Sequence, residues 1–250
     1  MAPPASKTSD PRAATLDRYI TSSRLPWQAP LATSQEIRDR GSTFIANLFP
    51  ATSPSEARVR INHLTNVVHQ NKPASHEIAA WRCMVLKHGR TGLGGPDDFE
   101  LSVGSVDDGE KWAGAKVLKV LQTHAIIDAV VIVSRWYGGT MLGPARFSHI
   151  ETCAAEVCLE FKRTEQLREC ISTLTTLDAV LAGLRAEYSD TSSHEPSTTP
   201  GTSSAPKDYS NLDLDKGKRL IKARESAIQS VKLLLVKRRK GIEGNTRDSG

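Results

Sequence analysis

The sequence lacks any stretch approaching the roughly 20 consecutive apolar residues that a membrane-spanning helix requires. Its first thirty residues also lack an apolar core followed by a cleavage site. A cytoplasmic protein without a membrane partner is the expectation. Cysteine is scarce: Cys83, Cys153, Cys158 and Cys170 form neither a CxxC pair nor a metal-ligand spacing, so reduced, inward-facing thiols are expected rather than disulfides or a zinc site. Catalytic signatures are missing as well, with no GxSxG elbow, no GxxxxGK[ST] loop and no HExxH helix. His63, His69, His76, His124 and His149 are scattered and name no base. No catalytic residue, cofactor or metal is therefore assigned.

Positive charge is present but unevenly placed. Residues 206–250 hold 12 Lys+Arg against 6 Asp+Glu, whereas the 205 residues before them hold 21 against 22. Electrostatic attraction to nucleic acid or an acidic partner belongs to the tail rather than to the body.

Residues 1–23 are rich in Pro, Ala, Ser and Thr without apolar periodicity and are expected to be a disordered lead. A folded domain is expected over 24–163. Within it "STFIANL" (42–48) reads as a strand, and "SPSEARVRINHLTNVVHQN" opens a helix with Ser53 as cap, Pro54 at the first position and Glu56 three after the cap, a capping box. Val59, Leu64, Val67 and Val68 are candidates for its buried face. "IAAWRCMVL" (78–86) and "FELSVGS" read as strands joined by the Gly-rich hairpin loop 87–98; a helix is expected near Ala113–Thr123, a strand over 129–134 and a helix from Pro144 to about Phe161. Past the domain, Leu167, Cys170, Leu174, Leu177, Leu181, Leu184 and Tyr188 step by three and four, which predicts a heptad helix over 164–188. A disordered Ser/Thr/Pro linker (189–207), a basic amphipathic helix (208–240) with Leu220, Ala223, Ala227, Val231 and Leu234 on one side, and a disordered tail (241–250) are expected to follow. The two helices close on each other, on the domain or on a partner; periodicity does not choose.

The strand Ala129–Val133 is apolar at every position, which requires cover on both faces and a central place in the sheet. It runs into Arg135, Trp136, Tyr137 and the pair Gly138-Gly139, and Gly143-Pro144 then starts a helix bearing Arg146. Two readings stay open. Free backbone N–H groups with Arg135 and Arg146 make an anion site, or Arg135 pairs with Asp107, Asp108 or Glu110 as a structural brace. The run 107–110 with His76 also offers oxygen and nitrogen ligands suited to Mg²⁺ or Mn²⁺. Asp-Gly is equally ordinary turn chemistry before a helix.

Read in order, "DDGEKWAGAKVLKVLQ" and "VVIVSRWYGGTMLGPARFSHIETCA" resemble the Impact family, and the Trp-Tyr pair with Gly-Pro-x-Arg-Phe is similar to its eukaryotic branch. Lys111-Trp112-Ala113-Gly114 departs from the Ser-Gly-Thr-Ala-Gly of bacterial members. The resemblance implies an α+β fold like ribosomal protein S5 domain 2, a two-layer sheet and helices, here with a C-terminal α-helical extension. It also implies a non-enzymatic regulator of translation under amino-acid starvation, one that binds the ribosome-associated activator of the general-control kinase of initiation factor two and so restrains that kinase. Eukaryotic members carry an N-terminal RWD domain; about 23 residues precede the Impact-type domain here, too few to fold alone, so no RWD domain is expected. The candidate partner or ligand patch is His76, Asp107, Asp108, Glu110, Arg135, Trp136, Tyr137, Gly138, Gly139 and Arg146. The alternatives are an RNA- or ribosome-binding module acting through the basic helix, and an uncharacterised anion- or metal-dependent enzyme.

Overall fold

The structure, a computed structural model, describes residues 29–190, 208–209 and 211–247. The expected lead over 1–23 and most of the linker over 189–207 lie outside them. The chain divides into two compact units, up to Cys158 and from Leu159.

The first unit is built on one antiparallel sheet. Its strands are β1 (Ala32–Thr33), β2 (Ile37–Asp39), β3 (Ser42–Pro50), β4 (His76–Leu86), β5 (Phe99–Val106) and β6 (Ala129–Trp136). They lie in the order β1-β3-β6-β4-β5, with β2 also paired to β3. β6 is thus central, inserted between β3 and β4 and antiparallel to both, and every residue from Ala129 to Arg135 is buried. A strand flanked on both edges and covered on both faces needs no alternation, which is why it reads as a solid apolar run.

Registration separates the two faces. Val130 and Ile132 share one face with Phe49, Ala79, Trp81 and Cys83, and there α1 (Pro54–His63) adds Ala57 and the following π turn (Leu64–Val68) adds Leu64. The other face carries Phe44, Ala46, Leu48, Ile78, Val131 and Val133 and meets α2 (Ala113–Thr123) and the first turns of α3 (Ala145–Asp190). Arg82 at the end of that face donates to the Leu121 carbonyl at 3.3 Å and the Ile126 carbonyl at 2.9 Å, which pins the end of α2. His149 of α3 stacks at 5.3 Å on Phe44 and bonds Asp39 at 2.8 Å. Arg40 and His149 together hold the Asp39 carboxyl below its usual value.

The α1 cap forms with a variation. Ser53 Oγ accepts the Glu56 N–H at 3.2 Å as expected, but Glu56 reaches one residue further back, to the Thr52 N–H at 2.6 Å and hydroxyl at 2.7 Å. The buried stripe differs from the expected one: Ala57, Arg60 and Leu64 face inward, whereas Val59, Val67 and Val68 are about half exposed. Val59 lies off the stripe set by Ala57, Arg60 and Leu64, and the π turn accounts for Val67 and Val68, because an extra residue per turn rotates the face that the α-helical period would have buried.

All four cysteines are buried. Burial pushes the Cys158 thiol up to about 12, and burial, with Asp128 and Glu56 nearby, pushes Cys83 up to about 11.

In the second unit α3 continues without interruption to Asp190, where a stop near Phe161 was expected; Lys162-Arg163-Thr164-Glu165 contains neither Pro nor Gly to end it. α4 (Leu214–Arg247) pairs with it as a helical hairpin and continues past residue 240, where a disordered tail was expected. On α3, Cys170, Leu174 and Leu181 are buried, with Leu167 beside them. On α4 the buried seam runs through Gly217, Ile228 and Leu235 rather than through Ala223 and Leu234, which are exposed. Asp178 fixes the register by binding Arg224 Nε at 2.5 Å and the Tyr209 hydroxyl.

Two glycines define the turn beside β6. Arg40-Gly41 is a two-residue hairpin loop with φ 45° and 81°, the signature of a type I′ turn. Gly138 lies against it so closely that a Cβ there would sit 1.9 Å from the Gly41 carbonyl carbon. Gly138→Ala is therefore expected to destabilise the first unit by about 3 kcal/mol. Gly183→Ala, in open space on α3, is expected to stabilise by about 1 kcal/mol. Opposite shifts of the calorimetric transitions check both; an unshifted Gly138→Ala would contradict the close packing.

Candidate functional site

β6 delivers Arg135 at its end, and the turn after β5 delivers Glu110. Arg135 and Glu110 are each 5% exposed, and the guanidinium NH1 is in direct contact with Glu110 Oε1. The second carboxylate oxygen accepts from Arg146 Nε at 2.7 Å, and Arg146 NH1 donates to the Gly143 carbonyl at 2.7 Å. Phe44 and Tyr137 lie 5.5 and 5.7 Å from the Arg135 guanidinium carbon. Two ring faces and a shared carboxylate replace part of the water that this cation has lost, while its buried Nε has no hydrogen-bond partner among the described residues. Burial and the nearby Arg146 charge lower the Arg135 pKa. The competition between brace and anion site resolves as a brace in which the chain supplies its own anion.

The neighbouring acids have other work. Asp107 accepts the Trp112 N–H at 3.0 Å and the Gly114 N–H at 2.8 Å. It thereby caps α2, whose preceding residue Trp112 sits at φ 75°. Asp108 accepts the Glu77 N–H at 2.6 Å, and its carbonyl meets His76 Nδ1 at 2.7 Å. His76 Nε2 lies 3.6 Å from Glu110 Oε1. Asp107 and Asp108 therefore point away from Glu110, and no group of three metal-competent side chains occurs among the described residues. The Gly138 N–H is also engaged, donating to Ser42 Oγ at 3.2 Å, so it is not available to a bound anion.

Seven members of the expected patch converge or lie beside one another. His76, Glu110, Arg135, Tyr137 and Arg146, with Met141 and Leu142, line an open concavity of about 380 Å³, and Gly138-Gly139 carry the chain from Tyr137 to Met141. Trp136 does not join them. Strand alternation sends it to the opposite face, where its indole N–H donates to the Lys72 carbonyl at 3.1 Å and its ring meets His69 at 5.1 Å. Sequence reasoning missed Met141, the Phe44 ring and a second buried polar group on that opposite face. There Glu77, 4% exposed, accepts the Ser134 hydroxyl at 2.6 Å and bonds His69 Nδ1 at 2.6 Å. The signal was a lone hydroxyl in an apolar strand and an acid beside His76, but only the register that pairs residue 77 with 134 unites them. The carboxylate bridges hydroxyl and imidazole, and with Ser134 0% and Glu77 4% exposed the three form an internal polar link.

Fold and cluster together define a small α+β domain whose central strand ends in a charge network under an open concavity. Residues 40–158 match the family model of the Impact N-terminal domain, and that stretch of the chain belongs to the Impact family. The match ends at Cys158, where the first compact unit ends. Protein IMPACT-A of Xenopus tropicalis is 38% identical over 136 residues, covering 53% of this chain and 38% of that protein. Protein IMPACT of Homo sapiens is 34% identical over 148 residues, covering 58% and 42%. The chain thus spans well under half the length of these two curated relatives. A solved structure described as the two-domain translational regulator Yih1 is 29% identical, with a TM-score of 0.36 over 63% of this chain and 54% of that one.

The buried network makes a direct prediction. Glu110→Gln keeps the shape but leaves two guanidinium groups sharing a neutral amide, and is expected to cost about 3 kcal/mol. Glu110→Leu combined with Arg135→Met is expected to recover most of that loss in chemical denaturation. A double variant no more stable than Glu110→Gln would show that the ion pair is not the origin of the cost.

Proposed function

We propose that this chain is a non-enzymatic regulator of translation that acts by docking a protein partner at the concavity over Arg135. The partner inferred from the family resemblance is the ribosome-associated activator of the general-control kinase, and occupying it restrains the kinase in the amino-acid starvation response. The activity of the relatives as whole proteins comes to this chain as part of the proposal. One observation carries the docking reading: Tyr137 is 48% and Met141 84% exposed, and both stand on the rim of a concavity whose floor is a fixed, partly buried arginine pair. Exposed aromatic and Met side chains beside Arg are the composition of interaction hot spots. Both oxygens of the Glu110 carboxylate are already occupied by guanidinium groups, which favours binding over catalysis at this place. No helix of the described residues is long and apolar enough to cross a membrane, in keeping with action in the cytoplasm.

The test is affinity capture from extracts of starved cells. Wild type is expected to retain the activator or ribosomes, and Tyr137→Ala with Met141→Ala is expected to reduce retention at least about tenfold, the loss of one or two hot-spot residues. These exposed positions are better probes than Arg135, whose removal leaves Glu110 undercompensated. Wild type retaining neither would overturn the reading.

A second reading, RNA or ribosome contact, has its own observation. Lys216, Lys218, Arg219, Lys222, Lys232 and Lys237 are all exposed on α4. Changing four of these lysines to Gln leaves the hairpin seam intact and is expected to lower RNA retention and flatten its salt dependence. Unchanged retention would remove α4 as the contact.

A further inference from the structure

Among the described residues, β5 ends the sheet with an edge that carries none of the usual protection. The strand runs eight residues from Phe99 to Val106 and pairs with β4 in unbroken register, without a bulge. It contains no Pro and no Lys, and Glu100 is its one charge. Natural edges of this length are normally blunted by such devices. Phe99, Leu101 and Val103 are 38%, 40% and 47% exposed, and Leu86 and Met84 beside them on β4 are 45% and 40% exposed. Registration places all five on one face.

The hydrogen-bonding parity of this edge is determined. The Lys87 N–H donates to the Asp98 carbonyl at 2.8 Å, so even-numbered residues of β5 bond to β4. Two side-chain contacts agree. The Glu77 N–H, on the β5 side of β4, takes Asp108 Oδ2 at 2.6 Å, and the Met84 N–H, on the β6 side, takes Asp128 Oδ1 at 2.8 Å. The outward N–H and C=O groups therefore belong to Phe99, Leu101, Val103 and Ser105.

We propose that β5 pairs antiparallel with β5 of a second copy of this chain, about a two-fold axis through Ser102. A two-fold axis makes every residue and its partner sum to a constant, and the outward parity makes that constant even. The register centred on Ser102 sets Leu101 against the partner's Val103 twice, which matches apolar with apolar. It also sets each Glu100 against Gly104, so no like charges oppose. Centring on Val103 would set Leu101 against Ser105 and Phe99 against Asp107, and centring on Leu101, although it also pairs apolar residues, would set Ser105 against Asp97 outside the strand and leave about six ladder hydrogen bonds. The acids flanking the strand do not oppose the pairing, since Asp98 is turned back to the Gly94 N–H at 2.8 Å and Asp107 to α2. The pairing supplies about eight ladder hydrogen bonds. It covers less than the roughly 800 Å² per partner of a standard interface, so the dimer is concentration-dependent.

Cysteine cross-linking at the axis tests the register. Residues on the axis form a non-hydrogen-bonded pair with Cα atoms about 4.5 Å apart, within disulfide range. Cys83 lies directly across from Ser102 within one chain, so Ser102→Cys is made in a Cys83→Ala background of the full chain. Mild oxidation is expected to yield a disulfide-linked dimer. Ser105→Cys in the same background, about 20 Å from its counterpart, is expected to yield none. In sedimentation, wild type is expected to shift from monomer near ~1 µM to dimer near ~100 µM, and Leu101→Lys to weaken dimerisation at least about tenfold. A wild type monomeric throughout, or equal cross-linking at 102 and 105, overturns the proposal. If Leu101→Lys does not fold, the cross-link comparison alone decides.

Discussion

The carboxylate of Glu110 is the constraint on which the rest of the first unit is arranged. A guanidinium at the end of a fully buried strand requires a counter-charge, and in a medium of low polarity that charge has to be fixed rather than supplied by solvent. Glu110 meets the requirement only if the turn after β5 arrives at the end of β6. This makes the β4–β5 hairpin, the Asp107 cap on α2 and the start of α3 parts of one geometrical condition. Arg146 completes it from α3, so one carboxylate ties the strand end to elements on three sides. Removing the acid is costlier than replacing the whole pair by apolar groups, because two cations would remain without the carboxylate that both contact.

That condition also explains how the cluster is both architecture and surface. The charged groups are consumed by one another, which leaves the floor of the concavity rigid. What remains for other molecules is the rim, where Tyr137 and Met141 project. A rigid polar floor confines the entropy lost on binding to the ordering of those exposed rim side chains. The sequence pattern that looks chemically rich is therefore mostly spent on holding a shape.

Much of this was legible in the residues. The apolar run 129–133 announced its central, doubly covered place, and Ser53-Pro54 with Glu56 announced a helix start. Asp107 and Asp108 were harder, because identity alone does not say whether an acid faces a cation, a metal or a helix N-terminus; the direction is set by a turn with Asp108 at φ 44°. Trp136 was assigned to the patch by adjacency, and strand alternation overruled adjacency. Val67 and Val68 turn outward because a π turn, which has no clear mark in composition, rotates the apolar stripe by about one residue, whereas Val59 lies off the stripe of Ala57, Arg60 and Leu64. The seam of α4 was displaced for a related reason: Gly217 fits beside Cys170 and Leu212 because it lacks a side chain, and a search for apolar residues passes over it.

The proposed edge pairing and the concavity are joined by a single stretch of backbone. β5 ends at Val106, Asp107 follows immediately, and Glu110 is three residues further on. Pairing that reaches Ser105 would damp the motion of the strand that positions this turn, without touching Glu110 itself. Asp107 is fixed to α2 by two hydrogen bonds and Asp108 to β4 by another, so the turn is already held from both sides. Any effect of self-association on the concavity must then pass through the tilt of β5 against β4 rather than through the charge network. The rim residues Tyr137 and Met141 lie beyond β6, separated from β5 by β4. The geometry therefore favours two surfaces that can be occupied together, one reading backbone at the sheet edge and the other reading side chains at the strand end.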